Sequence, residues 1–219
     1  MSKVFTELVH RVNQASNPAA ECQDDQNKTM AYPEDHPAVL ALLLENQRLS
    51  AQVNCLEQRL NHDHLTGLYS RAYGVETLER LLNDPRLSSC GLAFLDVDKL
   101  KAINDNYGHQ MGDKALRFVG HTLSLLAEPH TQLARLSGDE FIAIFPNGNE
   151  QKLQQWCQTL NRYLAQHPYA HLNQHALCLT VSYGIFVHHY HSDTNLTALN
   201  MLDFADKAMY NNKKLKQLS

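Results

Sequence analysis

A short polar turn between two apolar runs is the feature that most constrains this fold. In RLSGDEFIAIF (135–145), Ser137 and Gly138 begin the turn, and Asp139 and Glu140 follow. Apolar runs joined by a short glycine-containing turn are typical of β-hairpins. The stretch therefore predicts two antiparallel strands with a pair of carboxylates at the connection. Because turns also carry acids simply for their solubility, the pair alone does not identify a reaction centre.

Further strand and helix patterns lie on both sides of this hairpin. Apolar runs in GLAFLDVD (91–98) and ALCLTVSYGIFVHH (176–189) predict more strands, and amphipathic spacing predicts helices over 112–128, 150–166 and 199–218. The order β-α-β-β-α-β-α is typical of an α+β sandwich, in which helices flank a mainly antiparallel sheet. A chain of 219 residues suffices for one such domain and an extension.

The extension has two predicted parts. Residues 1–38 combine a short amphipathic helix (4–14) with a polar, proline-containing linker, and residues 39–62 form a longer helix before the domain at 63–219. In that helix, apolar residues and one asparagine repeat every seven positions, at Val39, Asn46, Val53 and Leu60 and at Leu42, Leu49 and Leu56. The pattern predicts a parallel two-stranded coiled coil through residues 39–60. The alternative is one helix packed on its own domain.

Charge, hydropathy and cysteine usage narrow the function classes. The net charge of −4 argues against a nucleic-acid partner, because such proteins usually carry a basic face. No apolar run approaches the roughly 20 residues of a membrane span, so we expect no membrane insertion. The five cysteines are scattered and lack a C-x-x-C pair, which is typical of reduced thiols in the cytoplasm.

Acidic residues also follow the predicted strand 91–98. Asp96 and Asp98 end an apolar run, and the hairpin turn offers Asp139 and Glu140. If the two strands pair, three or four carboxylates converge and repel one another unless cations lie among them. Mg²⁺ prefers such oxygen ligands, and two ions could hold a triphosphate and activate a hydroxyl. The alternative is a solvated strand end beside a solvated turn.

Four stretches in order resemble motifs of the GGDEF-domain diguanylate cyclases over about residues 63–217. They are DHLTGLYSR (63–71), DVDKLKAINDNYGHQMGD (96–113), RLSGDEF (135–141) and ADKAMYNNKK (205–214). The resemblance implies the nucleotide-cyclase form of a ferredoxin-like sandwich. It also implies an enzyme that condenses two GTP molecules into cyclic di-GMP and releases pyrophosphate.

The same resemblance implies a metal site and catalytic residues. Mg²⁺, or Mn²⁺ in its place, would bind the Asp96 side chain, the Val97 carbonyl, Asp139 and Glu140. Asp139 would deprotonate the ribose 3′-hydroxyl while Glu140 assists with a second ion. Lys101 would stabilise the charge that develops on the phosphates, which lowers the barrier to transfer.

The resemblance implies substrate contacts as well. Asn104 and Asp113 would hydrogen-bond the guanine edge, His109 would lie near them, and Lys213 would reach the triphosphate. A carboxylate such as Asp113 can accept from both N1–H and the 2-amino group of guanine, whereas adenine offers no matching donors. The alternative for Asp113 is a helix cap, because the predicted helix begins at residue 112.

Several positions depart from the family pattern. Ser137 stands at the first glycine of the turn motif, Leu100 at a phenylalanine, and Lys216 with Gln217 at a Gly-Arg pair. Losing that arginine removes a bidentate phosphate contact, for which Lys214 or Lys216 could compensate. EPHT (128–131) stands where the family carries its inhibitory R-x-x-D motif, so we expect no product-inhibition site of that kind.

Two other functions are compatible with the sequence. A catalytically degenerate GGDEF module could bind GTP or a protein partner without turnover, and another two-metal nucleotidyl transferase could share the acidic pattern. The leading hypothesis is a homodimeric diguanylate cyclase, held together through residues 39–60. Each chain would supply one GTP to the shared product.

Overall fold

A four-stranded antiparallel sheet organises the domain. The computed structural model describes residues 37–172, 175–190 and 196–218, so the helix predicted at 4–14 lies outside the described residues. The strands are β1 (Ser89–Val97), β2 (Gln132–Ser137), β3 (Glu140–Pro146) and β6 (Val181–His189), in the spatial order β2-β3-β1-β6. Two short strands, β4 (Ala170–Leu172) and β5 (His175–Leu177), pair separately.

Helices flank this sheet, as the sequence predicts. In the domain these are α2 (Arg71–Leu82), α3 (Leu100–Tyr107), α4 (His109–Leu125), α5 (Glu150–Gln166) and α6 (Ala198–Leu218), and α1 (Pro37–Asn61) precedes them in the chain. The predicted fold class is therefore confirmed, as is the β2–β3 hairpin. No described helix combines the length and the apolar character that crossing a bilayer requires.

Sequence reasoning missed three elements: α2, α3 and the β4–β5 hairpin. The helix α3 has eight residues, too few for an amphipathic period to stand out. It ends at Tyr107. Gly108 follows with a φ of +83° and caps both α3 and α4, so α4 begins at His109 rather than at 112. Asp113 is consequently the fifth residue of α4, and its interpretation as a helix cap is wrong.

The sheet buries a separate apolar cluster on each face. Leu95, Val97 and Phe141 lie in the cluster that α4 and α5 cover, whereas Leu92 and Ile142 lie in the one covered by α2 and α6. All nine residues of β1 are buried, which explains why its sequence is apolar almost throughout rather than alternating. The acids at its end are thus attached to a strand that is buried along its whole length.

A glycine in β6 brings α6 unusually close to the sheet. A Cβ on Gly184 would lie 2.1 Å from the backbone nitrogen of Met209 and 2.2 Å from the carbonyl oxygen of Ala205. Only glycine allows this approach, since any larger residue would displace the helix backbone. The next turn of α6 carries Lys213, so this contact sets how near Lys213 lies to the end of β1.

The heptad side chains of α1 remain exposed on the single chain. Leu42 is 70% exposed, Leu49 49% and Leu56 56%. A row of exposed leucines is typical of a surface that another chain covers.

Candidate functional site

The hairpin turn lies against the end of β1. Asp96 pairs with Glu140 in the β1–β3 register, and the amide of Val97 donates to the carbonyl of Asp139 over 3.0 Å. The two acidic stretches, which are more than 40 residues apart in the sequence, therefore meet at one edge of the sheet.

Asp96 is a largely buried carboxylate among other acids. Burial raises its pKa, as do the charges of Asp139 and Asp98, while a hydrogen bond from Lys213 opposes them. The Lys213 ammonium lies 2.5 Å from Oδ1 of Asp96. Burial lowers the pKa of Lys213, but the hydrogen bond to Asp96 and the negative charges of Asp96, Asp139 and Asp98 together outweigh burial, so the pKa is raised. The acids thus outnumber the cation beside them, which favours binding of a further positive charge.

Both carboxylate oxygens of Asp98, by contrast, accept hydrogen bonds from protein side chains. The hydroxyls of Thr180 and Ser182 donate to its two oxygens at 2.7 and 2.6 Å, and Lys216 lies 3.5 Å away. Asp98 therefore fixes the start of β6 to the end of β1.

The donor set suits magnesium. Among the described residues, no group of three or more His, Cys, Asp or Glu side chains is arranged to hold one metal ion. Mg²⁺ usually takes one or two protein carboxylates and keeps several waters. The carboxylates of Asp96 and Asp139 match that requirement, since the charge of Asp139 lies near enough to raise the pKa of Asp96.

An arginine holds the turn in place. Arg135 donates from Nε and Nη2 to the carbonyl of Gly138 at 3.1 and 2.7 Å, and from Nη1 to Asp63 at 3.0 Å. Asp63 in turn accepts from the amide and hydroxyl of Thr66 at 2.9 and 2.7 Å. The DHLTGLYSR stretch therefore positions the acidic turn, a role that no spacing pattern in the sequence indicates.

The serine in the turn is unstrained. Gly138 takes the positive φ of +36° that the turn needs, and among the described non-glycine residues such angles occur at Lys99, His130 and Asn147. Ser137 therefore avoids the backbone penalty that a left-handed conformation would impose.

The predicted guanine contacts lie on α3 and α4. A Cβ on Gly112 would approach the Asn104 side-chain oxygen to 1.9 Å, so glycine lets Asn104 rest on the first turn of α4 beside Asp113. Lys101 is one turn before Asn104 on α3 and is exposed, as is His109. The arrangement brings the predicted guanine residues together at one helix junction.

A basic cavity of about 220 Å³ lies between the end of β1, the start of β6 and α6. Its lining consists of Asp98, Lys99, Thr180, Ser182, Lys213 and Lys216. Three ammonium groups around one committed carboxylate favour an anion. Lys214 lies elsewhere, 4.5 Å over the ring of Tyr210. Sequence reasoning did not include Lys99, and it left the choice between Lys214 and Lys216 open.

Comparisons with known proteins show what this chain is similar to. A family model described as "Diguanylate cyclase, GGDEF domain" matches residues 60–218. Diguanylate cyclase DgcN of Escherichia coli (strain K12) is 31% identical over 216 residues, covering 96% of this chain and 52% of its own. Uncharacterized protein YhcK of Bacillus subtilis (strain 168) is 28% identical, covering 84% of this chain and 48% of its own. The chain thus spans about half the length of these relatives.

A solved structure shares the fold. The coiled coil and GGDEF domain of DgcB from Caulobacter crescentus, in complex with c-di-GMP, superimposes with a TM-score of 0.72. At 23% identity it covers 83% of this chain and 95% of its own.

The Asp63–Arg135 pair predicts a pH-dependent stability. Burial alone would raise the pKa of Asp63, but the hydrogen bonds from Thr66 and Arg135 outweigh it and lower that pKa. We expect Asp63→Asn to reduce the free energy of unfolding at pH 7 by about 1–3 kcal/mol. Because the folded-state pKa is depressed, this penalty should be full well above the unfolded value of about 3.9 and vanish as the pH falls through the folded value.

Urea unfolding between pH 7 and pH 3 measures this penalty. Asp203→Asn is the control, because Asp203 forms an exposed pair with Lys207 and should change stability by less than about 0.5 kcal/mol. A penalty for Asp63→Asn that is absent at pH 7, or equal at both ends of the range, would contradict the assigned role.

Proposed function

Because the chain belongs to the GGDEF domain family of diguanylate cyclases, we propose that it condenses two GTP molecules into cyclic di-GMP. The observation that carries this proposal is the meeting of Asp96 and Asp139 beside a cavity with three lysines. Carboxylates that attract a cation, next to ammonium groups that attract an anion, suit a metal-bound triphosphate.

Each bond-forming step has the same balance. The 3′-hydroxyl oxygen of one GTP forms a bond to the α-phosphorus of the other, and the α–β bridging P–O bond breaks. Pyrophosphate leaves with the bonding electrons, and the hydroxyl proton passes to Asp139. Repeating the step in the opposite direction closes the ring, so two pyrophosphates are released for each product.

The residues of the chain would bind and orient the substrate. Asp96, Asp139, Glu140 and the Val97 carbonyl would hold Mg²⁺, or Mn²⁺ in its place, which withdraws charge from the phosphates when bound. Asp96 lies close enough to Lys213 for one ammonium to contact both the metal site and the phosphates. Lys101, exposed at the start of α3, would neutralise charge that develops during transfer.

Base specificity would come from α3 and α4. Asn104 and Asp113 present an amide and a carboxylate, which together match the donor and acceptor edge of guanine. His109, exposed in the first turn of α4, would lie against the nucleotide. The alternative is a degenerate GGDEF module that binds GTP without turnover. The departures from the family pattern at Ser137 and Gln217 are the reason to consider it.

Two chains would act together. Each domain would hold one GTP, and a two-fold symmetric product requires two sites that face each other. The exposed leucines of α1 would pair in a coiled coil and keep two domains at a high effective concentration. No R-x-x-D motif precedes the turn, so we expect no inhibition through that site.

The first prediction tests Asp139. Asp139→Asn should reduce cyclic di-GMP synthesis to less than about a tenth, because a lost metal ligand and proton acceptor removes several kcal/mol of transition-state stabilisation. The measurement is the initial rate of product formation from GTP and Mg²⁺. Asp84→Asn, a turn acid outside the site, is the matched control and should keep the wild-type rate. Retention of more than a tenth of the activity in a folded Asp139→Asn protein would count against the assignment.

The second prediction separates two neighbouring lysines. Lys216→Met should raise the KM for GTP about tenfold, because it removes a positive charge from the basic cavity. Lys214→Met removes the same charge from a position over Tyr210 and should leave KM unchanged. Equal effects of the two variants, with unchanged thermal unfolding, would show that Lys216 has no specific phosphate contact.

The third prediction concerns the coiled coil. Replacing Leu49 and Leu56 by Glu places like charges in the predicted seam, so activity per chain should fall steeply on dilution. Ala51 and Gln58, replaced by Glu, add the same charge on the opposite helix face and serve as the control. Rates across a hundredfold range of protein concentration decide the matter. A flat specific activity for the seam variant would mean that α1 is not the dimerising element.

A further inference from the structure

Ser137 and Glu140 close the hairpin as a cross-strand pair. They are register partners on either side of the two-residue turn formed by Gly138 and Asp139. Directly opposed residues in an antiparallel pair project their side chains to the same face of the sheet. The backbone pairing alone therefore places the Ser137 side chain beside that of Glu140.

The two side chains make a short hydrogen bond. The Ser137 hydroxyl donates to Oε2 of Glu140 over 2.5 Å. A hydroxyl that donates to a carboxylate forms a charge-assisted hydrogen bond. The donor is fixed by the turn, since Arg135 holds the carbonyl of Gly138 at 2.7 Å. A glycine at position 137 would leave Glu140 without this partner.

Glu140 has room to move without that bond. It borders a cavity of about 300 Å³ whose lining also includes Arg71, Asp203 and Asp206. Burial raises the pKa of Asp206, and so does the negative charge of Glu140, which places the Glu140 carboxylate near α6. Arg71 attracts the Glu140 carboxylate, whereas Asp203 and Asp206 repel it. The position of the carboxylate therefore depends on the Ser137 hydroxyl.

We propose that Ser137 is a positioning residue whose hydrogen bond to Oε2 of Glu140 orients the carboxylate so that it contacts a cation through its other oxygen alone. This inference rests on the proposed function, because it concerns the ion that Glu140 would assist in holding. Mg²⁺ takes one oxygen from each carboxylate in an octahedral shell, whereas Ca²⁺ readily takes both. Ser137 thereby favours Mg²⁺ over Ca²⁺ at the site.

Metal binding without turnover tests the inference. Calorimetric titration of Mg²⁺ and of Ca²⁺, with GTP carrying a methylene group between the α- and β-phosphorus, gives a dissociation constant for each ion. The quantity compared is the ratio of the Ca²⁺ constant to the Mg²⁺ constant. Ser137→Ala should lower this ratio about fivefold, because the freed oxygen lets Glu140 contact Ca²⁺ through both oxygens.

Two further variants identify the cause. Ser137→Thr keeps a hydroxyl at the same carbon and should keep the wild-type ratio. In a Glu140→Gln background, Ser137→Ala should change nothing further, because the partner carboxylate is already gone. Thermal unfolding of each variant reports any loss of fold.

The outcomes separate this inference from the proposed function. A Ser137→Ala ratio within about twofold of wild type, or a Ser137→Thr ratio that matches alanine, overturns the positioning role. If the wild type binds Mg²⁺ but converts no GTP, the proposed function fails, and the ratio of dissociation constants still tests the role of Ser137. If the wild type binds neither ion with nucleotide, both fail.

Discussion

The antiparallel register between β1 and β3 is the constraint on which the site depends. Seven consecutive pairs run from Cys90 opposite Pro146 to Asp96 opposite Glu140. A slip of one residue would turn Asp96 to the other face of the sheet, away from Lys213. Burial of β1 on both faces prevents such a slip, because it would exchange apolar clusters that differ in shape and covering helices.

Two local features convert that register into a site. Arg135 links the Gly138 carbonyl to Asp63, so the turn is held by the segment that follows α1. Gly184 lets α6 lie on β6, which brings Lys213 to within 2.5 Å of Asp96. The first feature places the acids and the second places the cations. Neither would suffice alone, because carboxylates without ammonium groups would bind a metal but repel a triphosphate.

The sequence predicts the elements with strong local signals and fails where long-range contacts decide. The hairpin, the acids that end β1 and the helix 150–166 follow from apolar pattern and turn chemistry. The helix α3 is too short for a period, and the start of α4 depends on Gly108 rather than on a side-chain cap. Lys216 enters the site because α6 approaches β6 at a glycine, and Asp63 matters only through an arginine 72 residues away. No pattern in neighbouring residues encodes such contacts.

The most direct test of the central claim is the identity of the product formed by the wild-type chain. Purified protein incubated with GTP and Mg²⁺, followed by mass spectrometry and pyrophosphate measurement, reports both product and stoichiometry. The account predicts a cyclic dinucleotide of two guanylate units, with two pyrophosphates released for each ring. GTP that is bound but unchanged, or hydrolysed to a linear product without ring closure, would contradict it.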